Sequence, residues 1–203
     1  MPAANTVIRP VEMARDAPAV AAIYAPHVTD GVASFELTPP DAAEMAGRID
    51  ATTVIYPWLV CDAPGAGVVG YVYAAAFNPR AAYRWSTAVT VYVDVRFHRA
   101  GIGRALYTSL FAVLRLQGFC NAYGGITLPN DGSVGLHEAL GFRRVALYRE
   151  VGYKFGRWWD VGWWETELRP KPAAPADLLE PETVRGLPGW QAALDAGSGW
   201  LRL

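Results

Sequence analysis

Between Val89 and Leu106 the chain reads V-T-V-Y-V-D-V-R-F-H-R-A-G-I-G-R-A-L. An apolar, β-branched run passes through a short basic segment into a glycine-spaced turn, and the turn opens into a helical pattern. That order suits an anion. Glycines at 101 and 103 let the backbone approach a ligand, and the unpaired N–H groups and dipole of a helix N-terminus attract phosphate oxygens. Arg99 and Arg104 add positive charge beside the turn. No Gly-Lys-Ser/Thr follows, so this is not a Walker A loop. The third glycine and downstream acidic residue of a dinucleotide fingerprint are also missing. A second strand-like run ends in L-P-N-D at Leu128 to Asp131, ahead of a short helical stretch that carries His137.

Other elements must position this turn. Val7-Ile8-Arg9 reads as a first strand, and Asp16 as the N-cap of a first helix that tolerates Pro18 in its opening turn and ends near His27. From Gly31 the segment G-V-A-S-F-E-L-T-P-P is a loop with apolar anchors, and Asp41 to Ile49 predicts a second helix. Phe35 and Glu36 therefore stand between two helices, where a pocket wall could lie. Strands are expected at Trp58 to Asp62 and Val68 to Ala75, joined by A-P-G-A-G as a hairpin. The stretch F-N-P-R-A-A-Y-R-W that follows is too polar and aromatic for a mere connector. It offers Arg80, Tyr83, Arg84 and Trp85 as a candidate substrate wall beside the strand from Thr87 to Val95.

After the turn, Ile102, Leu106, Leu110, Val113 and Leu116 recur at three- and four-residue spacing, so one helix face packs on a sheet and Gly118 stops the helix. Cys120 to Leu128 reads as a strand in which Gly124-Gly125 marks a bend or a close approach. Val145 to Tyr153 and Val161 to Leu168 are the last strands. From Arg169, R-P-K-P-A-A-P-A-D begins a proline-rich extension whose one expected helix lies around Trp190 to Leu194.

With 203 residues and about half of them apolar, the chain can form one α/β domain and a short appendage. Eighteen basic residues against nineteen acidic ones give no overall field for nucleic acid or a membrane surface, so any anion site is local. The N-terminal residues lack a signal-peptide pattern and no apolar run is long enough to span a bilayer, which predicts a cytoplasmic protein. Cys61 and Cys120 stand apart among strand-like residues and read as buried hydrophobes. The three histidines are too widely separated for metal-ligand spacing, so no metal is expected, and no nucleophile elbow is present.

H-R-A-G-I-G at His98 to Gly103, followed by N-D-G-S-V-G-L-H-E-A-L-G-F at Asn130 to Phe142, resembles the paired motifs of the GNAT superfamily of acyl-CoA-dependent N-acyltransferases. Its phosphate turn has the form Gln/Arg-x-x-Gly-x-Gly/Ala, and its later helix carries Asn and then Tyr or His before a Leu/Gly/aromatic exit. Y-P-W-L-V at Tyr56, A-Y-x-W at Ala82, T-V-Y-V at Thr90, A-L-Y-T-S-L at Ala105, L-P-N-D at Leu128 and D-V-G-W-W at Asp160 bring the resemblance to the phosphinothricin and methionine sulfoximine N-acetyltransferases. It covers roughly residues 6 to 168. The implied fold is α/β, of the α+β kind: a mixed, mostly antiparallel twisted sheet of about seven strands flanked by about four helices. The sheet opens in a V between the strands ending near Val95 and Leu128. Residues 1–168 would form this domain, and 169–203 an extension packing on it or on a partner subunit.

The resemblance implies acetyl-CoA as cofactor and transfer of its acetyl group to the amine of a small, amino-acid-like substrate, by direct attack in a ternary complex. The backbone from His98 through Arg99, Ala100, Gly101, Ile102 and Gly103 to Arg104 would hold the pyrophosphate, and Asn130 and Ser133 the pantetheine arm. Backbone N–H groups from Tyr92 and Val93 to Val95 would face the thioester carbonyl, where they stabilise a developing oxyanion. His137 takes the place of the acid that protonates the leaving thiol. Phe35, Glu36, Arg80, Tyr83 and Ala88 fall at substrate positions, with Arg80 and Tyr83 suited to the acidic end of an amino-acid analogue.

Three departures are informative. His98 stands where Gln or Arg is usual. Asn78 and Glu36 make the acceptor region less cationic than in the best-known members. Ala88 replaces a Glu that serves as general base, a role typically worth about 10²–10⁴ in rate. An α-amine, already partly neutral at pH 7, would tolerate that loss better than a lysine-like amine. A second reading follows from the same departure: an acyl-CoA-binding module that kept the cofactor site and lost the chemistry. A homodimer is expected from the resemblance.

Overall fold

The computed structural model describes residues 6–203. Seven strands form one sheet: β1 (Val7–Pro10), β2 (Trp58–Ala63), β3 (Gly67–Ala76), β4 (Ser86–Val93), β5 (Asn121–Leu128), β6 (Arg143–Lys154) and β7 (Arg157–Glu167). Their spatial order is β1-β2-β3-β4-β5-β7-β6. Every neighbouring pair is antiparallel except β4 and β5, which are parallel. That one parallel pair needs a crossover, and α3 (Ile102–Gln117) supplies it. The sheet matches the expected mixed, mostly antiparallel class.

Along each strand, side chains alternate between two apolar layers. On one face α3 buries Leu106, Leu110 and Leu114 against Val89, Ala122, Ile126 and Trp164. On the other, α1 (Met13–Thr29) and α2 (Ala42–Thr53) pack Val20, Tyr24, Met45 and Ile49 on Trp58, Val60 and Tyr71. Both cysteines are free and buried.

The first helix starts earlier than the sequence suggests. Asp16 is not its N-cap: it sits in the first turn, 1% exposed, and its carboxylate reaches back to accept the Glu12 N–H at 2.8 Å. The Arg9 guanidinium donates two further bonds to it, at 2.7 and 2.8 Å. Buried charge-assisted bonds outweigh the usual preference for Asp at the cap.

Beside α4 (Asp131–Ala139), the C-terminal extension carries two short helices, α5 (Pro181–Arg185), which the sequence does not announce, and α6 (Trp190–Asp195), at the place expected for one, followed by a 3-10 turn at Ser198–Trp200. The extension travels the length of α3 in reverse. Near the C-terminal end of α3, Leu179 N–H donates to Gln117 O and Arg169 to Gly118 O; near the N-terminal end, Arg202 N–H donates to Ala100 O. Arg84 and Trp85, read from sequence as substrate wall, hold this extension instead. Arg84 pairs with Asp177 at 2.8 Å, and the Trp85 indole N–H donates to Ala176 O at 2.8 Å.

Candidate active site

β4 and β5 pair only over Ser86 to Ala88 against Asn121 to Tyr123. Beyond that rung β4 stays with β3 as far as Val93, while β5 stays with β7 as far as Leu128, so the two strands diverge. The gap is a cleft of about 760 Å³. The phosphate turn stands at its wide end, and His137 and Tyr107 near its apex.

At the wide end, the first intrahelical bond of α3 runs from Ala105 N–H to Gly101 O at 2.9 Å. The N–H groups of Gly101, Ile102, Gly103 and Arg104 have no acceptor in the described residues. Gly101 is left-handed at φ 80°, a conformation that costs glycine little and lets the turn aim these donors into the cleft. His98 Nε2 lies 3.2 Å from Val93 O. Arg99 and Arg104 line the cleft with no carboxylate partner among the described residues, and no carboxylate lines the cleft. Polar donors and unpaired cations around such a space suit a polyanion.

The strand edge facing the gap can be assigned by parity. Asp94 N–H donates to Val69 O on the β3 side, so the backbone groups of Tyr92, two residues back, point the same way. Those of Val91 and Val93 then face the gap, and the His98 contact to Val93 O agrees. The oxyanion role assigned to Tyr92 backbone therefore fits Val91 and Val93 better. Val95 lies in the 3-10 turn that follows β4, 60% exposed and outside the cleft lining. Ala100 is likewise outside the lining, its carbonyl engaged by Arg202. The Tyr92 side chain packs on Tyr24 and His27, with ring centroids 5.0 and 4.7 Å away. Burial pushes its hydroxyl pKa well up, so it stays neutral. His27 also lines the cleft, and burial followed by the nearby His98 lowers its pKa.

At the apex, α4 begins at Asn130, whose side-chain oxygen caps Ser133 N–H at 3.1 Å. Asn130 and Ser133 both line the cleft. His137 is 3% exposed, with Nδ1 2.8 Å from Ser133 O. That carbonyl can only accept, so Nδ1 carries the proton and Nε2 is left as an acceptor. Tyr107 faces Nε2 at 3.2 Å, and its hydroxyl also lies 3.5 Å from Val89 O on the gap edge. Burial lowers the His137 pKa and raises that of Tyr107. A Cβ at Gly124 would stand 2.6 Å from Nε2, which explains a glycine in mid-strand: the imidazole needs its space. Tyr107 is the residue that sequence reasoning missed. It sits inside the apolar stripe of α3 and reads there as core.

The remaining substrate candidates are not brought into this cleft. Glu36 is held by Arg48 at 2.7 and 3.0 Å and by the Tyr24 hydroxyl at 2.9 Å. The Arg48 bond, chiefly, keeps its carboxylate pKa below the ordinary range. Phe35 leaves no room for a Cβ at Gly152 of β6, and Lys154 ties the same loop to the end of α1, donating to Ser34 O at 2.7 Å and to Val28 O at 2.6 Å. Arg80 precedes the exposed 3-10 turn before β4, and Tyr83 is the last residue of that turn. Ala88 is the last β4 residue paired with β5, beside Tyr123 and on the face opposite Val89 and α3. Phe77 stacks on Tyr123 at 4.2 Å and contacts Tyr83 and Trp163, making an aromatic wall next to Ala88. Among the described residues, no group of three or more His, Cys, Asp or Glu could hold a metal ion.

Residues 11–163 match the family model described as an acetyltransferase (GNAT) domain. A phosphinothricin N-acetyltransferase of Streptomyces viridochromogenes is 38% identical over 179 residues, spanning 84% of this chain and 97% of that protein. An L-methionine sulfoximine/L-methionine sulfone acetyltransferase of Pseudomonas aeruginosa is 32% identical over 161 residues, 79% of this chain and 94% of that one. Among solved structures, a GNAT superfamily phosphinothricin acetyltransferase from Sinorhizobium meliloti, in complex with acetyl-CoA, superposes with a TM-score of 0.81. It is 34% identical and covers 89% of this chain and 98% of its own.

Proposed function

Since the chain belongs to the GNAT acetyltransferase family, we propose that it transfers the acetyl group of acetyl-CoA to the α-amine of a small, amino-acid-like acceptor, by direct attack with both substrates bound. The observation that carries this reading is the splayed cleft, with four unpaired N–H groups and unpaired arginines at one end and the His137–Tyr107 pair at the other. These residues fit acetyl-CoA. The turn from Gly101 to Arg104 binds the diphosphate, Asn130 and Ser133 border the arm, and the Val91 and Val93 N–H groups are free to orient a carbonyl. When bound, acetyl-CoA supplies the acetyl group activated as a thioester.

In the transfer a C–N bond forms, a C–S bond breaks, the amine gives up one proton and the departing sulfur gains one. Neutral His137 can hold that proton at Nε2. A lowered imidazole pKa makes the resulting imidazolium a ready donor to a thiolate whose ordinary pKa is about 8.5, and Tyr107 keeps Nε2 aimed at the apex. The acceptor enters from the face of Ala88 and Tyr123, opposite His137, where Phe77 and Tyr83 border Tyr123. The carboxylate on that face, Glu165 across from Tyr123, is paired with Arg143 and is not free to serve as base, so the acceptor brings a neutral amine of its own.

Free-thiol release from acetyl-CoA, measured across a panel that includes phosphinothricin, methionine sulfoximine and other small amino acids, tests this function. Release with at least one α-amine supports it, and silence across the panel overturns it. The missing carboxylate also favours a second reading, a binding module without turnover. Coenzyme A binding by calorimetry together with that silence would select it. Tyr148, Val151, Tyr153 and Trp158 on β6 and β7, and Phe155 in the turn between them, are more than half exposed. This apolar hairpin supports the expected homodimer, which sedimentation would measure. No helix of the described residues is long and apolar enough to cross a membrane.

A further inference from the structure

The C-terminal extension lies outside the family match, which ends at residue 163, yet its last residues reach the phosphate end of the cleft. Trp200 and Arg202 both line it. Their placement is built in. The Ser109 hydroxyl, wholly buried in α3, donates to Leu194 O at 2.6 Å and accepts from Gly197 N–H at 3.1 Å. Gly197 lies so close to the Ala105 carbonyl that a Cβ there would collide with it, and a Cβ at Gly101 would collide with the Trp200 carbonyl. Leu201 packs on the core, and Arg202 N–H donates to Ala100 O at 3.0 Å. The indole of Trp200 stacks under the Arg104 guanidinium at 3.5 Å, a planar contact that holds this cation by its face and leaves the edge of its fork for an oxyanion.

Arg202 has an exposed side chain and no carboxylate partner among the described residues. Together with Arg99 and Arg104 it makes three unpaired arginines around a cleft that no carboxylate lines. We propose that the C-terminal extension completes the cofactor site: Arg202 binds a phosphate group of coenzyme A, and Trp200 positions Arg104 for the diphosphate. The proposal rests on the reading of the cleft as the acetyl-CoA site. A coenzyme with both a diphosphate and a ribose phosphate offers more negative charge than the turn's two arginines neutralise, and a third cation arriving from the far end of the chain answers that excess.

Arg202→Gln, Arg202→Glu and Trp200→Ala test it, with Kd for coenzyme A by calorimetry, KM for acetyl-CoA, and a melting curve for each variant. Arg202→Gln should weaken coenzyme A binding about tenfold, the usual scale for one lost charge-assisted bond, and Arg202→Glu more. The loss should shrink with dephospho-coenzyme A if Arg202 reads the ribose phosphate, and persist if it reads the diphosphate. It should vanish with S-acetylpantetheine, which has neither. Unchanged Kd and KM in variants of wild-type melting temperature would overturn the proposal, as would tighter binding, which would make the extension a cover. If the wild type itself bound no coenzyme A, the reading of the cleft would fall before that of the extension.

Discussion

The two ends of β4 are chemically unlike. Its C-terminal end opens on free backbone donors and three unpaired arginines. Its N-terminal end, at Ala88, opens on Tyr123, Phe77 and Tyr83, with Glu36 already neutralised by Arg48 in the loop between α1 and α2. One end recognises by backbone geometry and charge, which survive changes in most side chains. The other would recognise by side chains alone, and there a single replacement removes a function. On the proposed reading, the contrast teaches that cofactor and acceptor are specified by different physics along one strand, so an enzyme can keep the first intact while the second drifts.

Between these ends stands His137, and its loss should have the largest effect. His137→Gln should lower kcat by about 10²–10⁴, with little change in Kd for coenzyme A. A loss confined to KM would move His137 from chemistry to packing. Next, Gly101→Ala places a side chain in a left-handed turn and against the Trp200 carbonyl. Strain of about 1–3 kcal/mol should raise Kd for coenzyme A about ten- to a hundredfold and leave the relative preference among acceptors alone. A changed acceptor preference would show that the two ends are coupled. At the other end, Ala88→Glu should raise kcat/KM for phosphinothricin-like acceptors about tenfold, since a general base can be worth at least that. An unchanged rate would locate the base elsewhere.

The smallest effect is on stability. Burial holds the folded-state pKa of His137 and His27 below the ordinary value of about 6.5. Both are neutral when folded, so their contribution is fully present above about pH 6.5 and is lost as pH falls through the lower folded values. Urea unfolding at pH 7.5 and 5 should show the decline, and a His27→Gln variant should reduce it. An equal decline in the variant would assign it to other groups.

The strand, glycine turn and helix around Val89 to Leu106 were legible because each has a local signature: β-branched residues, Gly-x-Gly, and a three-and-four apolar period. The splay of β4 from β5 had no such signature and followed only from family resemblance. Tyr107 was hidden because a tyrosine within an apolar helix stripe looks like core until His137, thirty residues on, is seen against it. The extension was opaque for a related reason. Its proline-rich start has no period, and its contacts reach from Ala176 to Trp85 and from Arg202 to Ala100, pairings that no local pattern encodes. Arg84 and Trp85 were misread on that account: their partners lie about ninety residues away.

The central claim is that the acceptor end offers no free base, since Ala88 carries no carboxylate and Glu165 is paired with Arg143, so that the amine must arrive neutral. It is tested most directly by kcat/KM as a function of pH with two acceptors whose amines titrate about two units apart, an α-amine and a lysine-type side-chain amine. The account predicts that each profile rises up to the pKa of its own acceptor, with the α-amine far ahead at pH 7. A common plateau at one pH for both acceptors would reveal a titrating base on the enzyme and contradict it.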